Sequence, residues 1–291
     1  MMLSLMAAAL LAPPPLALQE RWKTPEDLPI ARVHGYLEVG KQRYIAGIEG
    51  LYRKEAQWER IDERPVREMI VSNAVWVLYG DGSVDKLDHK EGRLYFDVMA
   101  GAAKRPWVSC LGPVGDGVGF GGSGGWMVRG PARAPKLSEF YPPELKGDVV
   151  TAISGGVGPA GITTFVGTQK HGLFVFSERP VKRYGFAAGL PDSWVTALAG
   201  GRGQLVVALA DGGLVTIGKG GIVEPMPQPE TRVRKLMAFR DGLVVGGMSG
   251  CWFGWGTRWQ KLTDEETTGL AYRDGFQSLG VCTPTGITWW K

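Results

Sequence analysis

The sequence predicts an all-β fold: a single seven-bladed β-propeller of four-stranded antiparallel blades, with the ring closed by an N-terminal strand. Three observations predict it. Short apolar runs parted by Gly-rich turns recur along the chain. The glycines that close equivalent hairpins return at a period of about 40 residues. The last unit ends one strand short, and a matching strand stands at the opposite terminus.

The stretch Gly189–Gly221 displays the unit most plainly. Trp194–Ala199, Gln204–Ala210 and Leu214–Ile217 are apolar runs too short for useful helices, separated by a Gly-rich turn and then by Asp211-Gly212. Such runs are consecutive antiparallel strands joined by tight hairpins. The glycines closing each second hairpin are Gly50, Gly82, Gly125, Gly172, Gly213, Gly250 and Gly286, in steps of 32, 43, 47, 41, 37 and 36 residues. The segments 238–242 (AFRDG) and 271–275 (AYRDG) are near-copies in the same hairpin, which supports the register. The third unit is loosely spaced and leaves six or eight blades open beside seven.

The final unit stops at Lys291 with three strands. Residues 19–27 (QERWKTPED) resemble residues 257–265 (TRWQKLTDE), the outermost strand of the preceding unit. Residues near 20–24 are therefore expected to supply the missing strand. Closure matters because an open ring would leave two sheet edges unpaired.

Composition bounds the function. With 33 basic and 29 acidic residues the net charge is +4, dispersed along the chain. A nucleic-acid binder concentrates such charge on one face, so no nucleic-acid partner is expected. The 44 glycines sit beside 11 tryptophans and 44% hydrophobic residues, which describes many short strands and turns rather than low complexity. The first 18 residues carry no charge, and Leu3–Ala12 is apolar apart from Ser4. That length suits a signal-peptide core and falls short of the ~20 residues of a membrane span. Residues 1–18 are thus expected to be a signal peptide cleaved near Ala17 or slightly later. Residues 19–291 would form the propeller, periplasmic or secreted, with no integral membrane segment. Cys110, Cys251 and Cys282 form no CxxC pair and are expected as buried thiols.

The motif of residues 189–217 resembles the two-component regulator propeller repeat. The match runs through Gly189-Leu190-Pro191, Val195-Thr196-Ala197-Leu198, Gly203, Leu205 and Gly212-Gly213-Leu214, and again through Phe165, Val166-Gly167-Thr168 and Gly172-Leu173. Such repeats commonly form the periplasmic sensing part of membrane-bound hybrid histidine kinases. This chain shows no membrane span, Tyr-rich module or kinase, so the resemblance implies a free-standing exported propeller.

No catalytic motif assembles. Gly117, Gly119 and Gly122 satisfy GxGxxG, but no helix pattern follows to hold a pyrophosphate. Residues 213–220 (GLVTIGKG) end in Gly220, where a phosphate loop needs Ser or Thr. Neither GxSxG nor HExxH is present, and His34, His89 and His171 lack metal-ligand spacing. A single asparagine, Asn73, leaves a calcium-dependent lactonase design short of ligands. No cofactor and no metal are expected.

The loops entering the innermost strands and the middle hairpin loops share one face, where propellers commonly gather ligands. The candidate binding residues there are Arg67, Trp107, His171, Asp192, Trp194 and Arg232, because aromatics beside arginine anchor peptides and sugars. The expected function is an exported, non-catalytic binding or scaffolding module for a partner protein or carbohydrate. One alternative is a polysaccharide hydrolase or lyase using channel carboxylates drawn from Glu68, Asp148, Asp192 and Glu266. Another is a ligand-sensing subunit of a signalling system.

Overall fold

The computed structural model describes residues 13–291 apart from 73, 88–93, 96–106, 130–136, 159–160, 178–180, 219, 230–231, 274 and 276. The apolar segment 3–12, Asn73 and His89 lie outside the described residues.

The described chain is all-β, with two single-turn helices at 143–145 and 186–188. It opens with β1 (Leu18–Lys23). A first unit follows: β2 (Val33–Val39), β3 (Gln42–Gly47), β4 (Gly50–Lys54) and β5 (Trp58–Asp62). Next come β6 (Val66–Val71), β7 (Val75–Tyr79), β8 (Val84–Leu87) and β9 (Leu94–Tyr95). Then β10 (Val108–Val114), β11 (Gly117–Gly122), β12 (Gly125–Arg129) and β13 (Leu137–Phe140) precede β14 (Val150–Gly158), β15 (Gly161–Thr168), β16 (Leu173–Phe176) and β17 (Lys182–Tyr184). The rest are β18 (Val195–Gly201), β19 (Gln204–Leu209), β20 (Gly213–Ile217), β21 (Val223–Met226), β22 (Val233–Phe239), β23 (Gly242–Gly247), β24 (Gly250–Trp255) and β25 (Arg258–Thr263). The chain ends with β26 (Gly269–Arg273), β27 (Ser278–Thr283) and β28 (Gly286–Trp290).

These strands form a propeller, but not one of seven separate blades. Five sheets are four-stranded blades: β2–β5, β6–β9, β18–β21, β22–β25, and β26–β28 with β1. The remaining strands form one eight-stranded sheet in the order β13-β12-β11-β10-β14-β15-β16-β17. The expectation of seven blades is corrected to this five-blade arrangement with its one wide sheet. The physical reason lies in the loosely spaced third unit. Val114 pairs with Gly155 in parallel, joining β10 to β14. A Cβ at Gly112 would lie only 1.7 Å from the Ile153 carbonyl oxygen, so glycine alone allows the two backbones to meet. GxGxxG itself lies on β11, paired on both sides, with no helix after it.

The second strand of each unit is sandwiched between neighbouring sheets. β7, β11, β23 and β27 are buried at every residue, which explains why they read as unbroken apolar runs rather than alternating ones. Large side chains fill the wedges. Trp252, Trp289 and Trp290 are all buried. The three thiols are free and buried, and burial pushes Cys251 and Cys282 up to about 12.

One feature repeats along the inner strands. β2, β6, β10, β14, β18 and β22 each begin with Val and then carry an irregularity in the ladder to the second strand. The residue skipped is polar each time: His34, Arg67, Ser109, Thr151, Thr196 or Arg234. A bulge leaves a backbone group without its ladder partner and re-aims the extra side chain. Here most of these side chains reach the next inner strand. His34 Nδ1 donates to Val66 O (2.7 Å), Ser109 to Val150 O, Thr151 to Val195 O, and Thr196 to Val233 O (2.7 Å). Thr268, just before β26, donates to Val33 O. The result is a belt of hydrogen bonds around the axis.

The termini close the ring. β1 pairs antiparallel with β28, from Leu18 opposite Trp290 to Lys23 opposite Gly286. Ala17 and Lys291 exchange both backbone bonds at 2.9 Å, extending that ladder. Trp22, Trp289 and Tyr36 meet edge to face, with ring centroids 5.1–5.5 Å apart, which joins β1 and β28 to β2. Glu20 accepts from Trp22 Nε1 (2.6 Å) and from Arg273 Nη1 (2.7 Å). Upstream, Leu16 is buried against Phe239, Phe253, Leu262 and Trp290, and its backbone N–H and C=O both bond the Gln260 side chain. Residues 13–17, at the end of the segment read as a signal peptide, thus pack onto the ring.

Three outcomes follow from this clasp. Leu16→Ala should lower the unfolding free energy by about 2–4 kcal/mol, the usual cost of emptying a packed leucine site. A chain beginning at Leu18 should melt lower than one beginning at Pro13; equal melting temperatures would remove residues 13–17 from the clasp. The donors on Glu20, from Trp22 and then Arg273, hold its carboxyl below its ordinary value of 4.5. A depressed carboxylate stabilises the fold above its unfolded value, and that contribution fades as pH falls through the folded value. Glu20→Gln should therefore show a shallower loss of thermal stability below pH 4.5 than the parent chain.

Candidate functional site

Because the strands of each unit alternate in direction, the loops entering the inner strands and the middle hairpin loops emerge at one end of the ring. The candidate residues fall on this entry face, and five of the six form two clusters.

The first cluster is Arg67 with Trp107. Trp107 directly precedes β10 and remains 51% exposed. Arg67 lies 4.9 Å from the centroid of its ring and donates to Ser109 O at 3.3 Å. The indole rests on Gly82 of the neighbouring hairpin. A Cβ there would come within 2.3 Å of the ring, and Gly82 has φ +81°, so both space and backbone call for glycine. The guanidinium and indole therefore present one composite surface.

The second cluster gathers His171, Asp148, Asp192 and Trp194. His171 Nδ1 lies 2.7 Å from the Asp148 carboxylate, which is almost fully buried and also accepts from the backbone N–H of Val149 (2.7 Å) and Lys170 (3.1 Å). A buried carboxylate is tolerated when donors surround it in this way. Because Nδ1 is committed to Asp148, the outer ring nitrogen is directed away from it. The His171 loop joins the next loop through Gly172 N–H to Ser193 O at 2.9 Å. Asp192 braces that loop by accepting from Trp194 N (3.1 Å) and Asp211 N (2.9 Å). Trp194 stands 43% exposed beside it. Arg232 is exposed on the loop entering β22, in another sector of the face.

The four carboxylates considered for glycoside chemistry occupy four different settings. Glu68 accepts from Leu111 N (3.2 Å), Asp148 holds His171, Asp192 braces its loop, and Glu266 lies between Arg32 and Arg234 at 2.5 and 3.5 Å. Among the described residues no group of three or more His, Cys, Asp or Glu gathers to hold a metal.

Sequence reasoning missed two features. Arg32 pairs with Glu266 across 234 positions, which no local pattern reveals. Arg64 stacks 3.7 Å over Tyr79 and bridges Asp62 (2.7 Å) to the buried Asp85. Burial raises Asp85, and its bond to Arg64 only partly offsets this; at Asp62 burial also raises the carboxyl but the Arg64 bonds outweigh it and lower the net value. The signal available was the spacing Asp62-x-Arg64, but Asp85 comes from the next hairpin.

No protein-family model matches the sequence, and no curated protein sequence matches it. Solved structures do. The extracellular domain of the one-component system BT4673 from B. thetaiotaomicron is 14% identical, with a TM-score of 0.69 over 93% of this chain and 40% of that one. The extracellular domain of the hybrid two-component system BT3049 from the same organism is 12% identical, with a TM-score of 0.71 over 95% of this chain and 41% of that one. PorZ, a surface component of the type-IX secretion system of Porphyromonas gingivalis, is 18% identical, with a TM-score of 0.68 over 89% of this chain and 37% of that one. The chain spans about two fifths of the length of these proteins. At such identities the similarity is one of fold, and it agrees with the resemblance to two-component regulator propellers. No helix among the described residues is long and apolar enough to cross a membrane.

Asp148→Ala should cost about 1–3 kcal/mol, because it strips buried backbone donors of their acceptor. Chemical denaturation measures this, and Asp148→Asn should recover part of the loss.

Proposed function

We propose that this propeller is an exported, non-catalytic binding module that presents its entry face to a partner protein or a carbohydrate chain, in the periplasm or outside the cell. One observation carries this reading. Nine large hydrophobic side chains stand exposed among the described residues, and six of them, Ile48, Trp107, Phe140, Phe186, Trp194 and Met248, lie at the entry end of the strands. Exposed apolar groups concentrated on one face of a folded domain mark a contact surface. Arginine stacked on Trp107 and loops braced by Asp192 and Asp148 supply anchors that lose little freedom on binding. The separate settings of the carboxylates favour binding over hydrolysis, which needs two of them facing a common bond. The fold shared with extracellular sensor domains and a surface component agrees with an extracytoplasmic role.

The test is affinity capture from the organism's envelope fraction, alongside a glycan panel, with the parent chain and with Trp107→Ala and Trp194→Ala. Each substitution should weaken capture about tenfold or more, as expected of interface anchors, and should leave the melting temperature nearly unchanged. Capture that survives both substitutions would move the binding surface off this face. Unfolding by either would return that tryptophan to packing.

A further inference from the structure

The axis of the ring holds a cavity of about 260 Å³, walled by the inner strands β6, β10, β14, β18 and β22. Its charged lining residues are Arg67 on one flank, Arg234 and Lys235 on the other, and Glu68. Three cations against one carboxylate leave an excess of two positive charges in a partly enclosed space. Glu68 is already engaged with Leu111 N. Arg234 touches Glu266 only at 3.5 Å, and the Lys235 ammonium has no hydrogen bond or ion pair among the described residues. Arg234 keeps 56% of its side chain open to solvent, so an anion entering the cavity reaches its guanidinium.

Between the flanks stand Ser109, Thr151 and Thr196. Each hydroxyl gives its one proton to a neighbouring carbonyl in the axial belt. What remains for the cavity is lone pairs, so these groups accept hydrogen bonds and do not donate them. A ligand matching both features carries an anionic group for the cations and hydroxyls for the acceptors. Acetate would use the first and leave the second unmet, and a neutral sugar would do the reverse. Leu198 and Leu236 add apolar surface on the same wall. The volume lies just under the ~300–1,000 Å³ range of drug-sized sites, which suits a single ring.

We propose that the axial cavity is a binding site for a hydroxylated carboxylate of monosaccharide size, a uronic acid, whose carboxylate pairs with Lys235 and Arg234 and whose hydroxyls donate to the Thr and Ser belt. Arg67 borders both this cavity and the tryptophan-bearing loop face, so the test rests on Lys235 and Arg234, which belong to neither tryptophan cluster.

Isothermal titration calorimetry on the folded chain tests it with D-glucuronate, D-galacturonate, D-glucose, acetate and inorganic phosphate. At least one uronate should bind tenfold or more tighter than glucose, acetate and phosphate. Lys235→Gln should weaken that uronate tenfold or more with the melting temperature unchanged, and Arg234→Gln should weaken it in the same direction. Absence of binding by both uronates overturns the proposal. Phosphate or acetate binding as tightly as the uronates overturns the hydroxylated-ligand assignment, and uronate affinity unchanged in both variants overturns the location.

Discussion

A strand beside the axis of a ring of sheets faces a difficulty that flat sheets do not. Its first residues must pair with their own sheet while the backbone turns away toward the axis. The bulge after the leading valine of β2, β6, β10, β14, β18 and β22 resolves this by releasing one residue from the ladder. The released side chain then satisfies a carbonyl of the next inner strand, as His34, Ser109, Thr151 and Thr196 do. Adjacent sheets are thereby fixed to one another by hydrogen bonds as well as by apolar packing. The rest of the architecture, from wedge filling to loop placement, depends on that fixed spacing.

The belt also sets how the sheets merge and how the ring ends. Where β10 meets β14, Gly112 and Gly155 replace bulk with bare backbone, and two units fuse into one wide sheet. At the seam between the termini the chain uses other means: the β1–β28 ladder, the cluster of Trp22, Trp289 and Tyr36, and Leu16 inserted against the neighbouring blade. Both joints place buried backbone groups in partnership, as a closed ring requires.

Function is built on what this frame leaves over. Hydroxyls consumed by the belt present only lone pairs to the axis, while Lys235 and Arg234 line the same cavity. On the entry face, Asp192 accepts from the Trp194 backbone N–H and Arg67 lies over the Trp107 ring, so both indoles project from held positions. Rigid loops on a rigid ring favour recognition of a fixed partner shape.

The sequence by itself determined the strand repeat, because a period near 40 residues and runs such as Leu205–Leu209 follow from local hydrophobicity and turn residues. It also indicated which loops share the entry face, since strand alternation dictates which loops share an end; that Trp107 and Trp194 stand exposed there came from the fold. The pairing of His171 with Asp148, of Arg32 with Glu266 and of Asp85 with Arg64 was decided only in three dimensions. So was the fusion of β10 to β14, which rests on a contact between Gly112 and Ile153 that no period encodes. Local pattern reports what each strand buries; distances across the ring depend on how all the sheets settle around one axis, and that is a property of the closed assembly alone.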